Sequence, residues 1–149
     1  MTVLGSRMRM AMKHSRRQAC LWISALAAPQ CWAADASLAS KMVRFEDLPV
    51  EPGDGHALRR ILQGKTHSGY EIELHETDLA PGAMPHPPHR HAHEEVFLVR
   101  EGTLEVTIAG RASRLGPGSA AYVASNDEHG VKNAGSTHAQ YFVMALGTN

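Results

Sequence analysis

The sequence predicts an all-β protein built as a barrel or two-sheet sandwich, and three observations carry that expectation. Apolar and polar residues alternate with a period of two through several short runs. Each run, about five to eight residues long, stops at Gly, Pro, Asn or Ser. No segment after residue 34 sustains a helical period of useful length. Many short strands with turns between them, in a stretch of about 115 residues, suit a closed β architecture rather than a helical or mixed one. The whole chain of 149 residues is long enough for one real core but not for two.

The first 33 residues read differently. Lys13, Arg16 and Arg17 precede the apolar stretch "ACLWISALAA", and small residues follow in "QCWAADAS". This is the pattern of an export signal, with cleavage expected after Ala33 or Ala36 and translation starting near Met12. The apolar run is about ten residues, too short for a permanent membrane span; an amphipathic N-terminal helix is the alternative. "SRRQACL" resembles a twin-arginine signal, although Ala19 stands where a bulky apolar residue is usual. Both cysteines, Cys20 and Cys31, fall inside this segment, so a mature domain of residues 34–149 has no disulfide to rely on. The expected location is the periplasm.

Charge is unevenly distributed. Five of the 15 basic residues precede Ala34 while all 15 acids follow it, leaving the domain at about −5. That balance argues against nucleic acid or an anionic membrane as a partner of the folded part.

Within the domain, "YEIELHETDLAPG" sets Tyr70, Ile72 and Leu74 on one side and Glu71, Glu73 and His75 on the other. In "TLEVTIAG", Leu104, Val106 and Ile108 alternate with Thr103, Glu105 and Thr107. "SAAYVAS" and "AQYFVMALG" are further strands. "EVFLVREG" is apolar on both faces, with Phe97 and Val99 beside Glu95 on one and Val96 and Leu98 on the other. Such a strand is covered on both sides, by a second sheet and by outer strands or a partner subunit, and a homodimer is expected.

The chemistry is concentrated in "PPHRHAHEEVFLVREG", residues 87–102, with His86 just upstream. Residues two apart on a strand share a face, so His89, His91 and Glu95 converge if the backbone relaxes near Ala92 and His93. Two imidazoles and a carboxylate suit a first-row transition metal.

These spacings resemble the cupin family. Its first motif is matched by Gly82, His89-x-His91, Glu95 and Gly102, with six rather than five residues after Gly82. Its second is matched by Gly118, His129 and Asn133, while Ala124 and Asn126 replace the usual Pro and Gly. The resemblance spans roughly residues 69–146. It implies a single double-stranded β-helix, or jelly-roll, barrel with His89, His91, Glu95 and His129 as metal ligands. The implied cofactor is a divalent transition metal, Fe or Mn foremost, with Ni, Co or Zn compatible; a barrel that keeps the motif without a metal is the alternative. Asn133 is expected to secure a turn. His93 is expected to be an exposed loop residue and His86 exposed or supporting. His56, His67, His75 and His138 have no ligand-like spacing and read as ordinary surface residues.

Four protein ligands leave about two coordination positions for a small-molecule ligand or substrate. The resemblance thus implies an oxygenase, decarboxylase, isomerase or hydrolase, with a non-catalytic binding protein as the alternative. A transcription regulator is disfavoured, because no helix-turn-helix segment is present. Phe97, Met144, Tyr122 and Phe142 either shape the pocket or are plain core. Tyr122 is the remaining catalytic candidate, since Glu94 points to the face opposite Glu95.

Overall fold

The computed structural model describes residues 37–147. The expected export signal, with Cys20, Cys31 and the Arg16–Arg17 pair, lies outside the described residues. The described residues form nine strands: β1 (Glu51–Gly53), β2 (His56–Lys65), β3 (Glu71–Leu79), β4 (Glu94–Glu101), β5 (Leu104–Ile108), β6 (Arg111–Leu115), β7 (Ala120–Val123), β8 (His129–Asn133) and β9 (Ala139–Leu146). A single 3₁₀ turn, Phe45–Asp47, precedes them. Each run read from the sequence as a strand is one. None of the described helices is long and apolar enough to cross a membrane.

The strands form a six-stranded sheet in the order β1-β2-β3-β9-β4-β7 and a three-stranded sheet in the order β6-β5-β8. All pairings are antiparallel. At the centre of the larger sheet, the register aligns Glu73, Ala145 and Glu95 in one row. His75, Val143 and Phe97 make the next, and Thr77, Tyr141 and Val99 the third. Directly opposed residues share a sheet face. These rows therefore line the interior, where Phe97, Val99, Tyr141 and Val143 pack with Leu104, Val106 and Val131 of the second sheet.

One end of this interior is solid. Leu79, Leu104 and Ala139 are fully buried there. Gly102 turns β4 into β5 at φ 76°, and a Cβ on it would lie 2.6 Å from Ala139 Cα. Only glycine fits both the left-handed backbone and that close approach. Asn133 closes the same end. Its Nδ2 donates to Leu79 O (2.9 Å) and Thr137 O (2.8 Å), and its Oδ1 accepts from Gly135 N (2.9 Å). This is the turn-securing part expected of it.

The outer face of the larger sheet is covered unevenly. Phe45 lies between the guanidinium groups of Arg59 and Arg100, 4.8 and 4.7 Å from its ring centre. Arg59 in turn donates to Glu76 (3.1 Å), whose burial raises its carboxyl above the ordinary range. On β4 and β7, by contrast, Leu98 and Tyr122 stay 45% and 55% exposed. The inner face of β4 is covered by the second sheet as expected; at Leu98 the outer face is open in the single chain.

Candidate metal centre

The open end of the barrel gathers the histidines. His89 forms an isolated antiparallel bridge with His129, each N–H donating to the other's carbonyl at 3.0 Å. The pairing draws the loop before β4 onto the start of β8 and sets the two side chains next to each other, with ring centres 4.6 Å apart. A turn at Ala124–Asp127 prepares the other side. Asn126 adopts φ 65° there, so asparagine takes the left-handed conformation at the place where the motif has glycine. Its backbone N–H also donates to His91 O (2.9 Å), which ties the two motifs together.

Tautomers follow from the acceptors. His91 Nδ1 lies 2.8 Å from His93 O, and His129 Nδ1 lies 2.9 Å from Asp127 O. A carbonyl can only accept, so both Nδ1 atoms carry the hydrogen, and in the neutral imidazole each Nε2 keeps a bare lone pair. Those Nε2 atoms are buried and have no hydrogen-bond partner. Each nevertheless faces Glu95: His129 Nε2 is 3.2 Å from Oε2, and His91 Nε2 is 3.5 Å from Oε1. These contacts lack hydrogen-bond alignment. Their length is that of neighbouring ligands on one ion, since two donors each about 2.1 Å from a metal sit about 3.0–3.4 Å apart at octahedral or tetrahedral angles.

The residues therefore fit a transition metal. His89, His91 and His129 offer nitrogens all within 4.8 Å of one another, and His91, His93 and Glu95 form a second such group. Burial, and then the neighbouring imidazoles of His86, His129 and His91, keep His89 below its ordinary pKa and so neutral, as a ligand must be. The sequence-derived set of His89, His91, Glu95 and His129 is thus brought together at the barrel mouth.

Three expectations need correction. Tyr122 is not in the cavity: it sits opposite Val96 on the outer face, and Glu94 raises its hydroxyl pKa through a hydrogen bond. Its alternation with Val123, a wholly buried residue, turns it outward. His93 is not an exposed loop residue. Its side chain is only 14% exposed, its ring is stacked on His91 at 3.5 Å, and its Nε2 is 3.3 Å from Glu95 Oε1. His75 is not a surface residue either. It lines a cavity of about 350 Å³ together with Glu73, Glu95, Phe97, His129 and Tyr141. Its Nδ1 is buried, 3.3 Å from Glu73 Oε1 but off hydrogen-bond alignment, and burial holds the imidazole below its ordinary pKa.

His86 is exposed beside the site, its ring 4.3 Å from that of His89. His138 pairs with Asp78 at the surface, away from the cavity. Of the four residues read as pocket or core, Phe97 lines the cavity, while Phe142 and Met144 alternate with the inward Tyr141 and Val143 and face outward with Tyr122.

Residues 75–145 match the model of the cupin domain. An L-ectoine synthase of Bordetella parapertussis is 33% identical over 72 residues, 48% of this chain and 53% of that protein. The chain thus spans about half the length of the curated relatives it matches. Among solved structures, an RmlC-like cupin from Shewanella frigidimarina superposes with a TM-score of 0.63 at 21% identity, covering 74% of this chain and 94% of its own. KdgF from a Halomonas species gives 0.62 at 17% identity, covering 72% and 94%. At such identities the likeness speaks for the fold, which is a cupin barrel. Residues 75–145 thus carry the likeness to the cupin domain, and the shared architecture extends the cupin fold to the strands around them.

Proposed function

We propose that this protein is a metal-dependent enzyme acting on a small molecule, of the oxygenase, decarboxylase or isomerase kind. The observation that carries the reading is the pair of bare, buried Nε2 atoms on His91 and His129, both facing Glu95 at the wall of a small cavity. His89, His91, Glu95 and His129 would hold the ion, with Fe or Mn favoured by the mixed imidazole and carboxylate donors. When bound, such an ion supplies Lewis-acid polarisation of a substrate oxygen.

The chain's own residues supply the rest. Phe97, Tyr141 and Val143 give the cavity an apolar wall that limits water. His75, backed by Glu73, is the group suited to take or give a proton, because burial keeps its imidazole neutral. This acid–base group, absent from the reading of the sequence, favours an enzyme over a passive binding protein. The partial likeness to a synthase points the same way.

The test is elemental analysis of natively purified protein, followed by turnover and oxygen-consumption screening on small carboxylates, phenols and sugars. Iron or manganese near one per chain, with turnover that His75→Gln abolishes while metal content stays, is the expected result. Metal without turnover on any of these would return the protein to the binding class. We further propose export to the periplasm, with a mature N-terminus near Ala34 or Ser37 readable by mass spectrometry. The same proposal includes a homodimer formed across Leu98 and Tyr122, which Leu98→Glu would break in sedimentation.

A further inference from the structure

Three contacts of His93 fall on two other residues of the centre. Its carbonyl accepts the Nδ1–H of His91 (2.8 Å), which fixes that imidazole's tautomer and leaves Nε2 bare. Its ring lies over the His91 ring, 3.5 Å between centres and 7° from parallel, which blocks rotation of His91 about its own axis. Its Nε2 lies 3.3 Å from Glu95 Oε1 in hydrogen-bonding alignment. A carboxylate oxygen at that distance has no hydrogen to offer, so the imidazole donates.

The consequence for Glu95 is directional. With Oε1 engaged by His93, the carboxylate is held so that Oε2 approaches His129 Nε2 at 3.2 Å. Without that anchor, the side chain could rotate freely about its last bond and present either oxygen, or neither, to the imidazoles. Partners that orient ligands in this way are part of a metal site's affinity, and losing one typically costs about 10–100-fold.

We propose that His93 is the positioning residue of this centre, holding Glu95 through Nε2 and His91 through its ring and carbonyl, without itself binding the ion. The inference rests on the metal reading above, and the experiment separates the two. The probe is Co²⁺ alone, added to metal-free protein, with affinity measured by chelator competition and coordination by visible absorption. Three variants divide the contacts. His93→Phe keeps a stacking ring but loses the donor, His93→Gln keeps a donor but loses the stack, and His93→Ala loses both. Melting curves confirm that each is folded.

The expected outcome is that His93→Ala weakens Co²⁺ binding about 10–100-fold with an unchanged absorption pattern. His93→Phe and His93→Gln should each fall between it and the parent. If the parent binds and His93→Ala binds equally well, the positioning role is overturned and the metal reading stands. If His93→Ala alters the absorption in the way that losing a ligand does, His93 is a ligand and the proposal is overturned in that direction. A parent that takes up no cobalt overturns both.

Discussion

The two ends of the barrel interior are built from the same strands and obey opposite rules. Along β3, the inward residues run Glu73, His75, Thr77 and Leu79; along β4 they run Glu95, Phe97 and Val99. At the Leu79 end every buried polar atom of Asn133 is paired, and the Leu79, Leu104 and Ala139 around it are hydrocarbon. At the Glu95 end, buried nitrogens of His75, His89, His91 and His129 have no hydrogen-bond partner. A buried polar group left unpaired costs about 1–3 kcal/mol. The closed end therefore supplies the stability that the open end draws on. Polar groups left unsatisfied inside an otherwise well-packed barrel mark the place where a ligand supplies the missing partner.

The comparison can be broken most forcefully at the closed end. Leu104→Ala should cost about 2–5 kcal/mol in chemical denaturation, because a fully buried leucine leaves a cavity in a region that has no slack. The folded fraction should still bind metal like the parent; a proportionate loss of affinity would show that the two ends are not separate. Next, His129→Ala should lower metal affinity by more than the roughly 100-fold upper limit for a supporting residue. The metal-free protein should lose less stability than Leu104→Ala, because the loss of a fully buried ring and of its Nδ1–H bond to Asp127 O is partly offset by removal of an unsatisfied nitrogen. Metal titration and melting of the metal-free form check both halves.

A smaller effect concerns His75. Burial keeps its folded-state pKa below the ordinary value of 6.5, so the unfolded chain binds that proton first as pH falls. Stability from this group is present above about pH 6.5 and is lost as pH drops through that value toward the lowered one. Glu73 and Glu95 pull the other way and Arg60 assists burial, but the net direction is downward. Metal-free parent should thus lose more stability between about pH 7.5 and 5.5 than His75→Gln. Equal slopes would place His75 in contact with solvent. Smallest of all, Tyr122→Phe should change neither metal content nor any turnover found, because the hydroxyl is on the outside with Glu94.

The strands were legible because alternation is a local property of the chain, and "TLEVTIAG" or "AQYFVMALG" shows it without reference to any neighbour. The convergence of His89, His91 and Glu95 was legible for a similar reason: their spacing is short, and Gly102 marks where the strand must turn. His129 could be added only through the second motif, as 40 residues separate it from His89. What sequence could not show was which face of β3 looks inward. In "YEIELHET" the apolar set is Tyr70, Ile72 and Leu74, yet the barrel takes Glu73 and His75 inside, because β9 opposes them with Ala145 and Val143. His93 was hidden by a different cause. A loop residue's exposure depends on how the loop folds, and here the carbonyl of His93 caps His91 and brings its ring inward with it. Tyr122 was misplaced because a four-residue strand offers too few alternations to reveal its buried side.

The paired backbone bridge between His89 and His129 has a consequence in the statistics of the chain. An ion held by both residues would close a loop of about 40 residues, the segment that contains β4, β5, β6 and β7. A covalent cross-link over a loop of that length removes about 4 kcal/mol of freedom from the unfolded chain. A coordinated ion is the reversible counterpart, made and unmade by chelation instead of by oxidation. In a domain whose described residues contain no cysteine, such a clasp would do the work of a disulfide, and slow unfolding for as long as the ion remains in place.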